Sequence, residues 1–429
     1  MSAVVPIWGV SYTPQRGGFT FLADLDRGET SDDLAQIAAL GLNTLRLQLR
    51  WEDLQPSAQR INSAALRNLE IVLEAAARCK LQVIAGLFPV SLGGGLHLPS
   101  WASRIDPVEL LQRSTRSPQS VRGAGVVGRR RERAKPSLAA LSAPRYPAVI
   151  YEAGYHRNEA RDLYADQAII AAQRHQIAEV VGYFAQHPAI IAWQLGEGFE
   201  LGRAPTNSER ATEWYARTSD VVREHGGQRT MAVIHAATVL SATLRLDQIV
   251  EQVDQLGIAF DHPLPTSLFP PSAPDPTAFV YQLAATIAGK ALLVTGIGHA
   301  THQEGKAGLV SDVSYGRQVQ RRFCAPNEQA ERIAATIEQL RTVGGNQLLL
   351  AHYADYATEH WQQPPLDRSA AQRTQGFVDI TGRLKPLATV VQQLGAPLET
   401  GNVVRLPVDV DRYWREPRRE VARLWRAEV

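Results

Sequence analysis

The sequence predicts an α/β fold, a single-domain (β/α)8 TIM barrel, and three observations carry that prediction. Short apolar runs, eight in all, alternate with stretches of helical periodicity along the 429 residues. Strands that alternate with helices pair in parallel, because a parallel neighbour is reached only by a long crossover. No Gly-x-Gly-x-x-Gly turn follows the first run, which leaves a doubly wound sheet as the second choice behind the barrel.

The runs follow in order: residues 7–12 (IWGVSY), 44–49 (TLRLQL), 82–88 (QVIAGLF), 190–195 (IIAWQL), 231–235 (MAVIH), 257–260 (GIAF), 291–295 (ALLVT) and 347–352 (QLLLAH). Between them Leu66, Leu69, Leu73 and Ala76, and again Ala330, Ile333, Ala334 and Ile337, recur at helical spacing. Each set puts one apolar stripe on one face, as an outer helix packed on a barrel requires. The barrel is expected to occupy residues 1–400. A long basic loop, residues 112–145, interrupts it after the third strand. There Arg113, Arg116, Arg122, Arg129, Arg130, Arg131, Arg133 and Arg145 face the single acid Glu132. Without a periodic apolar face this insertion reads as an exposed, flexible loop. Residues 401–429 carry Tyr413, Trp414, Leu424 and Trp425, the anchors of a tail expected to dock on the barrel.

Composition narrows the function classes. Apolar residues at 45% and charged residues at 21% are those of a soluble globular chain. A net charge of +2 gives no overall attraction to nucleic acid or to a membrane surface. Cys79 and Cys324 are too few for a disulfide framework or a thiolate metal site. No apolar run reaches membrane-spanning length, and the N-terminus lacks the basic and apolar regions of a signal peptide. The expectation is a cytoplasmic protein without a cofactor.

In a barrel of this type the site lies where the strands end. Arg46 lies in the second strand, and Trp51 follows it. His97 and Trp101 follow the third. Trp193, Gln194, Glu197 and Glu200 end the fourth, and His235 ends the fifth. Asp261 and His262 follow the sixth, His299 and His302 the seventh, and His352, Tyr353 and Asp355 the eighth. Rings with hydrogen-bonding side chains around one mouth suit a sugar cleft. Trp51, Trp101 and Trp193 serve equally as core or wall residues. His235, His262, His299 and His352 with Asp261 or Asp355 could instead hold a metal; histidines that face a sugar account for the same positions, and no metal is expected.

The segments LGLNTLRLQLRWEDLQP from Leu40, HPAIIAWQLGEGFE from His187, KALLVTGIG from Lys290 and YADYATEHWQQPPLDRSAAQRTQGFVDITGRLKP from Tyr353 occur in the order of a known pattern. The chain resembles the clan-A glycoside hydrolases, in particular the cellulase-like and mannanase-like enzymes of family 5, over nearly its whole length. That resemblance implies a retaining reaction by two glutamates about 5 Å apart. Matched residue by residue, the acid/base falls on Gly198 and the nucleophile on Gly296. A tyrosine expected beside the nucleophile falls on Leu264. Ala351 and His352 stand where a tryptophan is expected under the sugar.

The resemblance thus implies a pseudoenzyme that keeps a cleft for an oligosaccharide or glycoside, lined by Arg46, Trp51, His97, Trp101, Trp193, His235, His262, His352 and Tyr353. One alternative is an active hydrolase with relocated carboxylates, Glu197 or Glu200, with Glu304 or Asp355 across the cleft. Strand alternation turns Glu197 to the opposite face from position 198, a rule that weakens past the strand end and leaves its rescue of the acid role open. Another alternative is a scaffold that recruits a protein partner through its basic loop. Restoring glutamate at both glycines is expected to return trace activity.

Overall fold

The computed structural model describes residues 6–104, 146–227, 229–270, 273–302, 305, 307–396 and 402–428. The basic segment 112–145 and Glu304 lie outside the described residues.

Leucine, valine and isoleucine dominate the eight predicted runs, and these become the barrel. The strands are Trp8–Ser11, Thr44–Gln48, Gln82–Pro89, Ile190–Glu197, Arg229–His235, Gln255–Ala259, Leu293–Ile297 and Gln347–Leu350. Each pairs in parallel with its sequence neighbour, and the first pairs with the last, in the register Trp8 to Leu348 and Val10 to Leu350. The strands are buried on both faces, as parallel strands covered by helices are. Inside the barrel Ile7, Ile84, Ala192, Met231, Val233, Ala259, Leu293 and Leu349 form a core of their own. The interior is therefore packed, and access is confined to the mouth.

The outer helices follow the predicted stripes. Helix Ser63–Arg78 starts at Asn62, whose side chain accepts from the Ala64 and Ala65 amides. It buries Leu66, Leu69, Leu73 and Ala76. Helix Pro326–Thr342 opens on proline, which gives up no needed donor at that position, and buries Ala330, Ile333 and Ile337. Among the described residues no helix is long and apolar enough to cross a membrane.

Beyond the seventh strand lies an element that the sequence reading did not anticipate. Gly308–Ser314 and Arg317–Cys324 form an antiparallel hairpin, and Ala300–Thr301 adds a short parallel strand to it. The two-residue turn is Tyr315-Gly316, with φ of +51° and +75°. Positive φ at both positions matches the twist of a tight hairpin.

The last helices, Val410–Arg415 and Pro417–Glu428, bring apolar side chains back to the barrel. Trp425 meets the rings of Phe269 and Phe279 at 5.2 and 5.0 Å. The buried Tyr413 hydroxyl donates to the Val239 carbonyl. Tyr413→Phe should therefore cost about 0.5–1.5 kcal/mol in urea unfolding, the net worth of one hydrogen bond, since the Val239 carbonyl keeps the Ala242 amide. A loss below about 0.3 kcal/mol would show that the bond contributes nothing net.

Candidate functional site

At the end of the fourth strand Gly196 adopts φ +54°. That left-handed step cancels the strand alternation. Gln194 and Glu197 both turn inward, contrary to the expectation that Glu197 faces away. Arg46 Nε donates to Gln194 Oε1 at 2.8 Å, and its Nη2 pairs with Glu197 Oε2. Gln194 and Gln48 donate to the same Glu197 oxygen at 2.7 and 2.8 Å. Glu197 Oε1 is buried with no hydrogen-bond partner. It faces His235 Nε2 at 3.8 Å.

His235 connects this carboxylate to a second one. Its Nδ1 lies 3.1 Å from Asp261 Oδ1. Burial alone would lower the imidazole pKa, but Asp261, and then Glu197 and Glu200, outweigh it and push His235 up to about 9. Burial raises the Asp261 carboxyl, but the His235 cation and its hydrogen bond prevail and hold it well below the usual range. A quarter of the Asp261 side chain remains open to solvent. Burial, and then the His235 charge, push the His262 pKa well below the usual imidazole range. Its Nδ1 meets the Tyr146 hydroxyl at 2.9 Å.

Glu197, His235 and Asp261 offer donor atoms that all lie within 4.8 Å of one another. They do not fit one metal ion. Asp261 meets Nδ1 of the imidazole and Glu197 faces Nε2, so the two carboxylates lie along different edges of the ring. An ion about 2 Å from one nitrogen cannot also hold the carboxylate at the other. Arg46 already neutralises Glu197. His235 stands between two acids, hydrogen-bonded to Asp261 and facing Glu197 at 3.8 Å.

Tyr315, at the hairpin tip, closes the mouth over this group. Its ring stacks on His262 at 3.6 Å with 14° between planes. Its hydroxyl lies 2.7 Å from Ser91 Oγ and 3.4 Å from Asp261 Oδ2. Its amide donates to the Gly94 carbonyl at 2.6 Å. Arg321 of the same hairpin donates to the Asp261 carbonyl at 3.3 Å, and Arg317 lies over the Tyr146 ring at 4.8 Å.

Gly198 and Gly296 end the fourth and seventh strands at this mouth, with φ of +76° and +78°. A Cβ on Gly198 would come within 2.9 Å of the Ser91 Cβ. On Gly296 it would come within 2.9 Å of the Asp261 amide nitrogen. Gly296 is the irregular residue between the paired Thr295 and Ile297. A side chain at either position would be strained by the backbone and crowded by its neighbours, a cost that the sequence alone does not reveal. Ser91 and Asp261 are also the partners of the Tyr315 hydroxyl, so the phenol reaches between the two positions.

Several expected cleft residues point elsewhere. Trp51 is buried, bonds Gln55 Oε1 through Nε1 at 2.8 Å, and packs on Phe88 and Trp101. Trp101 donates to the Gln55 carbonyl at 3.1 Å. Trp193 is fully buried in the main core. These rings are wall and core, because the short helix Trp51–Leu54 turns its indole inward. The Tyr353 hydroxyl reaches Gln36 on an outer helix rather than the mouth. Glu200 accepts from Thr238 Oγ1 at 2.9 Å and from Tyr164 at 3.4 Å, with no bond to the Arg46 cluster. His97 is buried with both nitrogens unpartnered, and burial lowers it to about 3. His352 Nε2 meets Gln372 Oε1 at 3.1 Å, apart from the His235 group.

Gln48, Ser91, Tyr146, Tyr315 and Arg321 belong to the mouth and were not read as site residues from sequence. For Tyr315 a signal existed. The run LVSDVSYGRQVQRRF places Tyr-Gly between two alternating segments, the mark of a tight hairpin. For Ser91 and Tyr146 only the folded chain brings them in.

No family model matches the sequence. No curated protein matches it either. Solved structures do match in fold. A GH5_18 protein from Streptomyces cattleya, in complex with Manβ1-4GlcNAc, superposes with a TM-score of 0.64 at 16% identity, over 96% of this chain and 81% of that one. A GH5_18 protein from Bifidobacterium longum subsp. infantis gives 0.63 at 17% identity, over 91% and 78%. An exo-β-1,4-mannosidase from Opitutaceae bacterium strain TAV5 gives 0.63 at 16% identity, over 91% and 59%. At such identities the likeness establishes a glycoside hydrolase-like TIM-barrel fold.

Proposed function

We propose that this barrel is a glycoside hydrolase-like protein without the two-glutamate retaining reaction, whose mouth binds a carbohydrate. One observation carries the reading: both positions matched to the catalytic pair are left-handed glycines with no space for a side chain. Retaining hydrolysis needs an acid/base and a nucleophile flanking the glycosidic bond, and glycine supplies neither. The ligand class follows from neighbours in fold, among them structures in complex with Manβ1-4GlcNAc or GlcNAc. Glu197, His235 and Asp261 offer such a ligand acceptors and a charged donor. The unmodified protein should not turn over an aryl β-mannoside above background, while calorimetry should detect Manβ1-4GlcNAc.

A second reading has its own observation. Carboxylate oxygens of Glu197 and Asp261 come within 4.8 Å, near the roughly 5 Å of a retaining pair. It describes a hydrolase with relocated carboxylates. Turnover by the parent that disappears in Glu197→Gln and in Asp261→Asn would establish it and end the first reading.

A further inference from the structure

We propose that the hairpin 308–324 is a gate, with Tyr315 as its plug, and that the mouth admits a ligand only when the hairpin swings outward. The ligand, a neutral sugar ring, is taken from the reading of the mouth given above; the gate stands on its own observations.

The plug makes the contacts that a bound ring would make. A flat ring covers His262 at 3.6 Å, and one hydroxyl reaches Ser91 and Asp261 at 2.7 and 3.4 Å. Ligand and Tyr315 therefore exclude one another.

The hairpin can leave as a unit. Its strands pair with each other and with Ala300–Thr301, and no barrel strand pairs with them. Opening breaks no barrel ladder. Apart from Tyr315, the hairpin is tied to its neighbours by side chains: Arg317 lies over the Tyr146 ring, Arg322 pairs with Glu328 at 2.8 Å, and Phe323 clusters with Ala300 and Ala371. Asp312 accepts from the Ala370 and Ala371 amides at 2.7 and 3.3 Å, and Arg321 donates to the Asp261 carbonyl at 3.3 Å. On the first strand of the hairpin Leu309 is 61% exposed.

The closed state also leaves polar atoms unpaired. Glu197 Oε1, His235 Nε2, His262 Nε2 and Arg321 Nε are buried without a hydrogen-bond partner. Buried polar groups without partners are costly, and native structures keep few of them. A phenol with one hydroxyl, already engaged with Ser91 and Asp261, cannot serve them. A ring with several hydroxyls can. A permanent plug would keep that cost with nothing to offset it; a gate exchanges it for ligand contacts.

Where the binding-competent state is a minor one, the apparent affinity falls by its population. Tyr315→Ala should therefore tighten Manβ1-4GlcNAc binding, read by calorimetry, by about 10- to 100-fold. In the parent, hydrogen exchange should show the amides of 309–323 exchanging well before those of the barrel strands. Tyr315→Phe keeps the ring and removes only the hydroxyl bonds. It should tighten binding about 3-fold, and it keeps the test in force if the alanine variant does not fold.

Hairpin amides that exchange only together with the barrel strands would overturn the gate. So would equal disaccharide affinity in parent, Tyr315→Phe and Tyr315→Ala. Early hairpin exchange, accelerated further in Tyr315→Ala but with no disaccharide bound by any variant, supports the gate and defeats the sugar reading instead.

Discussion

Gly198→Glu and Gly296→Glu should each destabilise the protein by about 2–6 kcal/mol, and the double variant should hydrolyse no aryl β-mannoside. Two costs combine at each site. A non-glycine residue in left-handed backbone costs about 1–3 kcal/mol, and overpacking a filled site adds about 1–3 kcal/mol. The crowding is specific. At 198 the new Cβ meets the Ser91 Cβ at 2.9 Å. At 296 it meets the Asp261 backbone nitrogen at 2.9 Å, which no rotamer change relieves. Typical domains have only about 5–15 kcal/mol of stability, so the double variant should lose much of its margin. Urea unfolding measures the cost, with Gly198→Ala and Gly296→Ala separating backbone strain from the carboxylate. Variants within about 0.5 kcal/mol of the parent would show that the glycines are not required by the backbone. A stable double variant with turnover would show that only the two side chains are missing.

Much of this was legible in the sequence, and the boundary is physical. The eight strands were legible because a parallel strand buried on both faces is a nearly continuous apolar run, as in QVIAGLF and ALLVT. The positions of Gly198 and Gly296 followed from motif order. The direction of a side chain did not. Glu197 faces the mouth because Gly196 is left-handed, and a glycine in a strand pattern does not announce which sign of φ it takes. Trp51 and Tyr353 sit at strand ends, as cleft residues do, yet their polar tips bond Gln55 and Gln36 in the surrounding layer. Tyr315 is 54 residues from Asp261 in sequence, and contact between them exists only after the hairpin folds over the mouth. Propensity reads local backbone; the site is made by contacts between distant loops.

Arg46→Met should be among the most damaging single changes at the mouth, at about 3–5 kcal/mol, because it removes the cation hydrogen-bonded to the buried Glu197 carboxylate and leaves it His235 at 3.8 Å. Gln194 and Gln48 still donate to Glu197, but neither carries charge. Arg46→Met with Glu197→Leu should recover most of the loss, since removing both charges removes the need for either. A double variant no more stable than Arg46→Met alone would show that the arginine acts through packing.

His235 completes the charge balance and gives the network a pH signature. Its folded pKa of about 9 lies above the ordinary value near 6.5. The folded state therefore holds a proton that the unfolded state releases. That contribution is fully present below about pH 6.5 and is lost as pH rises through about 9, with a total of about 3 kcal/mol. Asp261 has the opposite sign: its depressed pKa stabilises above the ordinary carboxylate range and is lost in acid, outside this window. Asp33 and Glu52, raised to about 7 by burial, titrate at the lower edge of the same window. The parent must therefore be compared with His235→Asn, in which that background remains. The difference in unfolding free energy between the two should shrink steadily from pH 6.5 to pH 9. A constant difference would mean that His235 is neutral in the folded state, and its contact with Asp261 would then be an ordinary hydrogen bond.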